Sequence, residues 1–259
     1  MQPVSDVLEV RGVKARLFSA GAGPAVLFLH GAAGVPPFGP FFEILGEGRR
    51  LIVPEHPGYG ATEAPKWIRA VPEIALHYLD LLDTMDLKDV DLVGQSIGAW
   101  IAAELATKSR GRLRSLTVMA PVGIRIPGNP VADNFMWSPE EGVRNLYHDE
   151  GLADQVLGRA ISDEQADLAL ASQFMTARLG WEPRWHNPVL ERWLHRIDVP
   201  TQIIWGAQDK FVPASYADRW AELIPDSRVA VIEQCGHLPF MEKPQETARI
   251  VRNFIESVR

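Results

Sequence analysis

The sequence of 259 residues is long enough for one large domain or two small ones. Its 46% hydrophobic and 23% charged residues are typical of a globular protein and exclude collagen, coiled-coil and disordered classes. The net charge of -7 argues against nucleic acid as a partner, because binding to phosphates requires a basic face. A single cysteine excludes an internal disulfide and a zinc site of several thiolates.

The ends and apolar runs of the chain predict where the protein acts. No basic stretch followed by an apolar run begins the sequence, so we expect no signal peptide. No apolar run approaches the roughly 18 residues of a membrane span. We therefore expect a cytoplasmic protein in a reducing compartment, acting on a small molecule and without a membrane span. The sequence does not distinguish a monomer from a homodimer.

Apolar runs that end at turn signals alternate with helical patterns along most of the chain. Val7 to Phe18 alternate apolar and polar residues, which predicts an antiparallel hairpin at a sheet edge. Continuous apolar runs, typical of buried parallel strands, occupy residues 25–29, 51–53, 90–93, 116–119, 202–205 and 229–232. Helical patterns occupy residues 74–85, 97–107, 213–223 and 244–258. The alternation predicts an α/β fold with a mostly parallel central sheet and helices on both faces.

This alternation is interrupted between Val122 and Ile197, where the pattern indicates short helices separated by glycine and proline. Four of the eight tryptophans lie in this segment. Its length and aromatic content favour a helical lid over a loop. We therefore predict a core domain of residues 1–121 and 198–259, with residues 122–197 inserted as the lid.

Five residues, Gly94-Gln95-Ser96-Ile97-Gly98, join the strand at 90–93 to the helix that begins at Ile97. In a tight strand-to-helix turn, the positions two before and two after the serine come close together, so glycine fits there. Such a turn presents the serine hydroxyl above the sheet edge, at the positive end of the helix. The motif alone also fits a helix-capping serine after a glycine turn.

Two further residues follow strands at the same predicted sheet edge. Asp209 follows the strand at 202–205, and His237 follows the strand at 229–232. A serine nucleophile needs a base, and the base needs an acid to orient it. The chain order Ser, Asp, His is the one that accompanies this serine motif. We therefore predict a catalytic triad of Ser96 as nucleophile, His237 as general base and Asp209 as the orienting acid.

These motifs resemble the α/β-hydrolase superfamily with a helical lid, and the resemblance covers essentially the whole chain. It rests on the serine turn and on His30-Gly31-Ala32-Ala33-Gly34, Pro57-Gly58-Tyr59-Gly60, Gly206-Ala207-Gln208-Asp209 and Gly236-His237-Leu238-Pro239 with Glu242 and Pro244. Relatives often carry Asp at the position of Glu55 and Ser at that of Thr62. The motifs are specific to the superfamily but not to a substrate.

The resemblance implies an oxyanion hole made of two backbone amides. The residue after the nucleophile, Ile97, supplies one. The residue after His30-Gly31 supplies the other, which favours Ala32 and leaves Ala33 as the alternative. No cofactor and no metal are implied, since the remaining histidines lack ligand spacing. Cys235 lacks a glycine turn into a helix, which argues against a thiol nucleophile.

The expected activity is that of a serine esterase, cleaving a small to medium, largely apolar carboxylic ester through an acyl-enzyme. Trp137, Trp185, His186 and Leu238 are candidates for the substrate-binding wall. The alternatives are a C–C hydrolase of a vinylogous diketone from aromatic degradation, a lactonase or thioesterase, and a ligand-binding member without catalysis. Relatives in the C–C branch often carry an aromatic residue directly after the catalytic histidine, where this chain has Leu238.

Overall fold

The structure is a computed structural model and describes residues 2–109 and 111–258. In this part of the chain eight strands form one sheet, in the order β1-β2-β4-β3-β5-β6-β7-β8. The strands are β1 (Val4–Val10), β2 (Val13–Ala20), β3 (Ala25–Leu29), β4 (Arg50–Pro54), β5 (Val90–Gln95), β6 (Leu113–Met119), β7 (Thr201–Gly206) and β8 (Ser227–Ile232). β2 pairs antiparallel with β1 and β4, and the other neighbouring strands are parallel. The predicted α/β fold class is confirmed.

Nine helices of four residues or more lie in the described residues. They are α1 (Pro40–Leu45), α2 (Val71–Thr84), α3 (Ile97–Lys108), α4 (Pro139–Leu146), α5 (Glu150–Leu157), α6 (Asp163–Gly180), α7 (Tyr216–Leu223), α8 (Pro239–Glu242) and α9 (Pro244–Ser257). None of these described helices has the length and apolar character needed to cross a bilayer.

The sheet is buried on both faces, because successive side chains of its central strands point to opposite sides. In β3, Leu27 and Leu29 pack into the core beneath α2, α3 and α7. Val26 and Phe28 pack into the second core, beneath α1, α8 and α9. This two-sided burial explains why the central strands are continuous apolar runs and why the hairpin β1–β2 alternates.

Helix α3 is enclosed on all sides, and every residue from Ile97 to Thr107 is buried. It packs on β5 and β6, on α2, and on the 3-10 turn at Leu194–Arg196. A helix with apolar residues all round requires such surroundings. The helix that follows the predicted nucleophile is therefore anchored over its whole length.

The segment between β6 and β7, called the inserted segment (residues 122–197), contains α4, α5, α6 and three 3-10 turns. The whole of this range is described, and only isolated bridges such as the one between Gly123 and His186 occur in it, without a strand. Its side chains Met175, Leu179 and Trp185 are buried in the same core as α2 and α3. The division into a core domain and a lid domain stays a prediction.

The differences from the predicted elements are local. The short helices α1 and α8 were not predicted, because six and four residues are too few to produce a periodic pattern. Helix α7 begins at Tyr216 instead of Pro213, since the amide of Tyr216 donates to the Pro213 carbonyl in a preceding turn.

Candidate active site

Ser96 lies in a strand-to-helix turn whose backbone has little free space. The residue has a positive φ of 54°, in the left-handed region that only a firmly held turn maintains. A Cβ on Gly98 would lie 2.2 Å from the Leu29 carbonyl oxygen, and one on Gly94 would lie 2.6 Å from the Ala99 Cα. The geometry therefore requires glycine at both positions that the sequence pattern singled out.

The structure brings the three predicted catalytic residues together in one hydrogen-bonded chain. His237 Nδ1 lies 2.7 Å from Asp209 Oδ2, and His237 Nε2 lies 2.9 Å from Ser96 Oγ. Because a carboxylate only accepts, Nδ1 carries the proton and Nε2 is free to accept from the serine hydroxyl. Ser96, Asp209 and His237 are 5%, 8% and 2% exposed. The arrangement suits proton transfer from the serine in a site with little water.

The second oxygen of Asp209 is held by the backbone that follows it. Oδ1 accepts hydrogen bonds from the amides of Phe211, at 2.8 Å, and Val212, at 2.9 Å. These two hydrogen bonds satisfy an oxygen that is buried away from water. They also fix the direction in which Oδ2 faces His237.

Gln95, the residue before the nucleophile, connects the turn to the base. Its side-chain Nε2 donates to the His237 carbonyl at 3.3 Å. Its Oε1 lies where a Cβ on Gly31 would be, only 2.0 Å from that position. Gln95 thus occupies space between the loop after β3 and the loop of the base. This role was not predicted from the sequence, because the position carries no residue preference in the serine motif.

The amides predicted to form the oxyanion hole lie at the end of β3 and the start of α3. No described residue accepts a hydrogen bond from the backbone amide of Ile97, Ala32 or Ala33. Ala32 is half-buried against the core, whereas Ala33 is exposed. Since Ile97 begins α3, its amide also lies at the positive end of the helix. The oxyanion role of Ile97 and Ala32 stays a prediction.

A buried cluster of His30, His56 and Tyr78 supports the loop after β3. His30 Nδ1 donates to the Gly31 carbonyl at 2.7 Å, and its Nε2 accepts from the His56 amide at 3.0 Å. His56 Nε2 donates to the His30 carbonyl at 2.8 Å, so its Nδ1 accepts from the Tyr78 hydroxyl. Burial lowers the pKa of His30 to about 4 and lowers the pKa of His56 well below its ordinary value. Both rings are therefore neutral, and each nitrogen has a fixed role in holding the loop.

Cys235 lies two residues before the base and is buried. Burial, reinforced by the nearby Glu242 carboxylate, raises the pKa of its thiol to about 12. A thiol that stays protonated is a poor nucleophile. This environment supports the interpretation that the chemistry belongs to Ser96.

Aromatic side chains surround the base. The Phe211 ring lies edge-on to His237, with centroids 4.9 Å apart. Trp137 and Trp185 of the inserted segment pack on Phe211, with ring centroids 5.9 Å and 5.5 Å from that of Phe211. Phe135 stacks on Trp185. Two of the predicted wall residues thus reach the triad through Phe211. Phe211 was not predicted as a wall residue, although its position two residues after the proposed acid could have indicated an aromatic side chain near the base.

The other two predicted wall residues have described contacts elsewhere. His186 Nδ1 donates to the Arg184 carbonyl, and the side chain lines a cavity of about 400 Å³ with Arg125 and Tyr216. Leu238 packs against the second core, beneath α9. Their role in substrate binding stays a prediction.

Comparison with known proteins shows the family of the chain. Residues 26–250 match the model of the Alpha/beta hydrolase family. The chain belongs to this family. Within it, the chain is 29% identical to a 2-hydroxy-6-oxo-2,4-heptadienoate hydrolase of Pseudomonas putida, over 94% of this chain and 93% of the relative.

Solved structures share the fold over nearly the whole chain. A meta-cleavage product hydrolase from Pseudomonas fluorescens is similar with a TM-score of 0.81 and 21% identity, covering 98% of both chains. A carboxylesterase from Bacillus subtilis is similar with a TM-score of 0.79 and 16% identity, covering 98% of this chain and 92% of its own. These structures show the same α/β-hydrolase fold, and the family match identifies the protein as a hydrolase.

Proposed function

We propose that this hydrolase is a serine esterase that cleaves a small to medium, largely apolar carboxylic ester through an acyl-enzyme. The observation that carries the proposal is the chain of hydrogen bonds from Asp209 through His237 to Ser96. The three side chains already lie within hydrogen-bond distance of one another, as acyl transfer requires, so no rearrangement of the side chains is needed.

The reaction proceeds in two halves. As Ser96 Oγ attacks the ester carbonyl, its proton passes to His237 Nε2, and Asp209 stabilises the imidazolium that forms. The amides of Ile97 and Ala32 donate to the oxyanion of the tetrahedral intermediate. The intermediate expels the alcohol, which takes the proton from His237 and leaves the acyl group on the serine. Water, deprotonated by His237, then attacks the acyl-enzyme and releases the acid and the free serine.

The surroundings of the site support an apolar substrate. The Phe211 ring lies next to the base, and Trp137 and Trp185 pack on Phe211. Apolar walls with few polar groups are typical of small-molecule sites. We further propose that the inserted segment acts as a lid over Ser96.

A second candidate function is C–C bond hydrolysis of a vinylogous diketone. The relative named above is a 2-hydroxy-6-oxo-2,4-heptadienoate hydrolase, and its similarity covers nearly the whole chain, which favours a substrate of this class. Against this candidate, Leu238 stands where the C–C branch often has an aromatic residue. A lactonase or thioesterase shares the acyl-enzyme and differs only in the leaving group.

Labelling with a fluorophosphonate tests the nucleophile. We expect stoichiometric labelling of the wild type and no labelling of Ser96→Ala. The control Cys235→Ala should label like the wild type, because the Cys235 thiol that it removes is protonated. Folded wild-type protein that stays unlabelled would overturn the serine-hydrolase proposal. Labelling that is lost with Cys235→Ala and kept with Ser96→Ala would show that the nucleophile is the cysteine.

Turnover of paired substrates distinguishes the bond that is cleaved. Esters of graded acyl and alcohol size are compared with a ring-cleavage dienoate at equal active-site concentration. The ester proposal predicts a larger kcat/KM for one of the esters. A larger kcat/KM for the dienoate would instead assign the protein to C–C hydrolysis.

A further inference from the structure

The loop of the base is bonded to the junction between α4 and α5 through one buried carboxylate. Glu242 Oε1 accepts from the Gly236 amide at 2.7 Å, next to His237. Glu242 Oε2 accepts from the amides of His148 and Asp149, at 2.8 Å and 3.0 Å. One side chain thus bridges the catalytic loop and the inserted segment.

Two further observations show that these segments meet without free space. The His237 amide donates to the Leu146 carbonyl at 2.9 Å. A Cβ on Gly236 would lie 2.7 Å from the Leu146 oxygen and 2.8 Å from the His148 nitrogen. The loop that carries the base is therefore fitted directly against the backbone that joins α4 to α5.

The bridge is costly to break. Glu242 is buried, and so is the Gly236 amide that donates to it, so loss of the carboxylate leaves a buried donor without its partner. Bonds from amides to a carboxylate are shorter and stronger than those between neutral groups. Removing the carboxylate leaves the Gly236 amide and the His148 and Asp149 amides without acceptors, which favours separation of the two segments.

We propose that Glu242 is a positioning residue that couples the inserted segment to His237. The inference rests on the proposed role of His237 as general base. Glu242 contacts the loop backbone, the amides that join α4 to α5 and the Cys235 thiol, and no described contact joins it to Phe211 or Trp185. Its loss therefore displaces the imidazole and leaves these two aromatic side chains in place. The rate of serine attack therefore falls much more than substrate binding.

The test compares Glu242→Ala, Glu242→Gln and wild type by the rate of fluorophosphonate labelling per titrated active site. We expect labelling by Glu242→Ala to be about 100-fold slower, the loss that about 1 Å of misplacement causes. Glu242→Gln retains one carbonyl oxygen, which can accept on one side of the bridge only, so its rate is intermediate. For an ester, kcat falls in parallel while KM changes by less than about threefold.

A matched control is Glu246→Ala, which removes an exposed glutamate from α9 close by in the chain. We expect this variant to label at the wild-type rate. Hydrogen exchange of the amides of His148, Asp149 and Gly236 is expected to accelerate in Glu242→Ala and to stay unchanged in the control.

A second perturbation reaches the same contact from the opposite side. Gly236→Ala inserts a methyl group against the Leu146 carbonyl, whereas Gly142→Ala in α4 meets no atom within 4 Å. We expect Gly236→Ala to reproduce the loss of kcat with KM maintained, and Gly142→Ala to behave as wild type. This pair keeps the proposal testable if Glu242→Ala does not fold.

Two outcomes would overturn the coupling. The first is that the Glu242 variants label at the wild-type rate per titrated active site. If Glu242→Ala does not fold, the same result for Glu242→Gln and Gly236→Ala would overturn the coupling. The other is an increase in KM with kcat unchanged, which would make Glu242 part of the substrate wall. Failure of the wild type itself to label overturns the serine-hydrolase proposal instead, so the two failures are distinguishable.

Discussion

The nucleophile turn and the inserted segment are held in place by different means. Every residue of β5 is buried, and the turn that follows it permits no side chain at Gly94 or Gly98. In the inserted segment, by contrast, most of α6 is exposed, including Phe174 at 69% exposure. The nucleophile is thus fixed by close backbone packing, whereas the inserted segment is attached at a few buried side chains.

This difference indicates that the two regions have different roles. A nucleophile has to be held within a fraction of an ångström, and packing of strand against helix provides that accuracy. The inserted segment contributes Trp137 and Trp185, which pack on Phe211 beside the base. Its contact with Glu242 helps to position the loop that carries the base. Variants in each region can separate the two roles.

Removal of either reacting group should nearly abolish activity without unfolding the protein. We expect Ser96→Ala and His237→Ala each to lower kcat by about 10⁴-fold or more, because serine and base act as a unit. Steady-state kinetics of the two variants and of the double variant measure this loss. Losses that multiply in the double variant would contradict a shared role for the two residues.

The buried anchor of the inserted segment should matter far more than its outer face. Trp185 is 1% exposed, and its Nε1 donates to Asn134 Oδ1 at 2.7 Å. We expect Trp185→Ala to lower the free energy of unfolding by about 3–5 kcal/mol. Phe174→Ala, on the exposed side of α6, should change it by less than about 0.5 kcal/mol. Urea unfolding checks both, and equal losses would contradict attachment through buried side chains.

A methyl group in the nucleophile turn should strain the backbone. A Cβ on Gly98 would meet the carbonyl oxygens of both Leu29 and His30. We expect Gly98→Ala to destabilise the protein by about 1–3 kcal/mol and to slow labelling of Ser96. Gly39→Ala, which meets no atom within 4 Å, is the control. Wild-type stability of Gly98→Ala would show that the turn is not held by close packing.

Acid should destabilise the protein through its buried histidines. Burial lowers the pKa of both His30 and His77 to about 4, so the unfolded chain binds more protons than the folded one between pH 6.5 and 4. Stability therefore falls as the pH falls through this window, by up to about 1.4 kcal/mol per pH unit for each histidine. Unfolding measured at a series of pH values gives this slope.

His77 provides a variant for the same measurement, since its Nε2 is buried without a hydrogen-bond partner among the described residues. His77→Phe removes one titrating group and should reduce the slope by about the contribution of one histidine. An unchanged slope in His77→Phe would show that this histidine does not resist protonation.

The sequence by itself determined the features that depend on a few neighbouring residues. Mostly apolar runs located the central strands, since a strand buried on both faces has no position that faces water. The glycines around Ser96 located the turn, because its backbone geometry is set within five residues. The order of Ser96, Asp209 and His237, each next to a strand end, then placed all three at one edge of the sheet.

Only the tertiary structure decided which distant residues support that site. Gln95 and His237 lie 142 positions apart, and Glu242 lies 94 positions from His148. Such pairs leave no periodic or spacing signal, because chain packing brings them together and not local backbone geometry. The residues of the proposed triad were therefore predictable from the chain, whereas the residues that hold them in position became visible only in the fold.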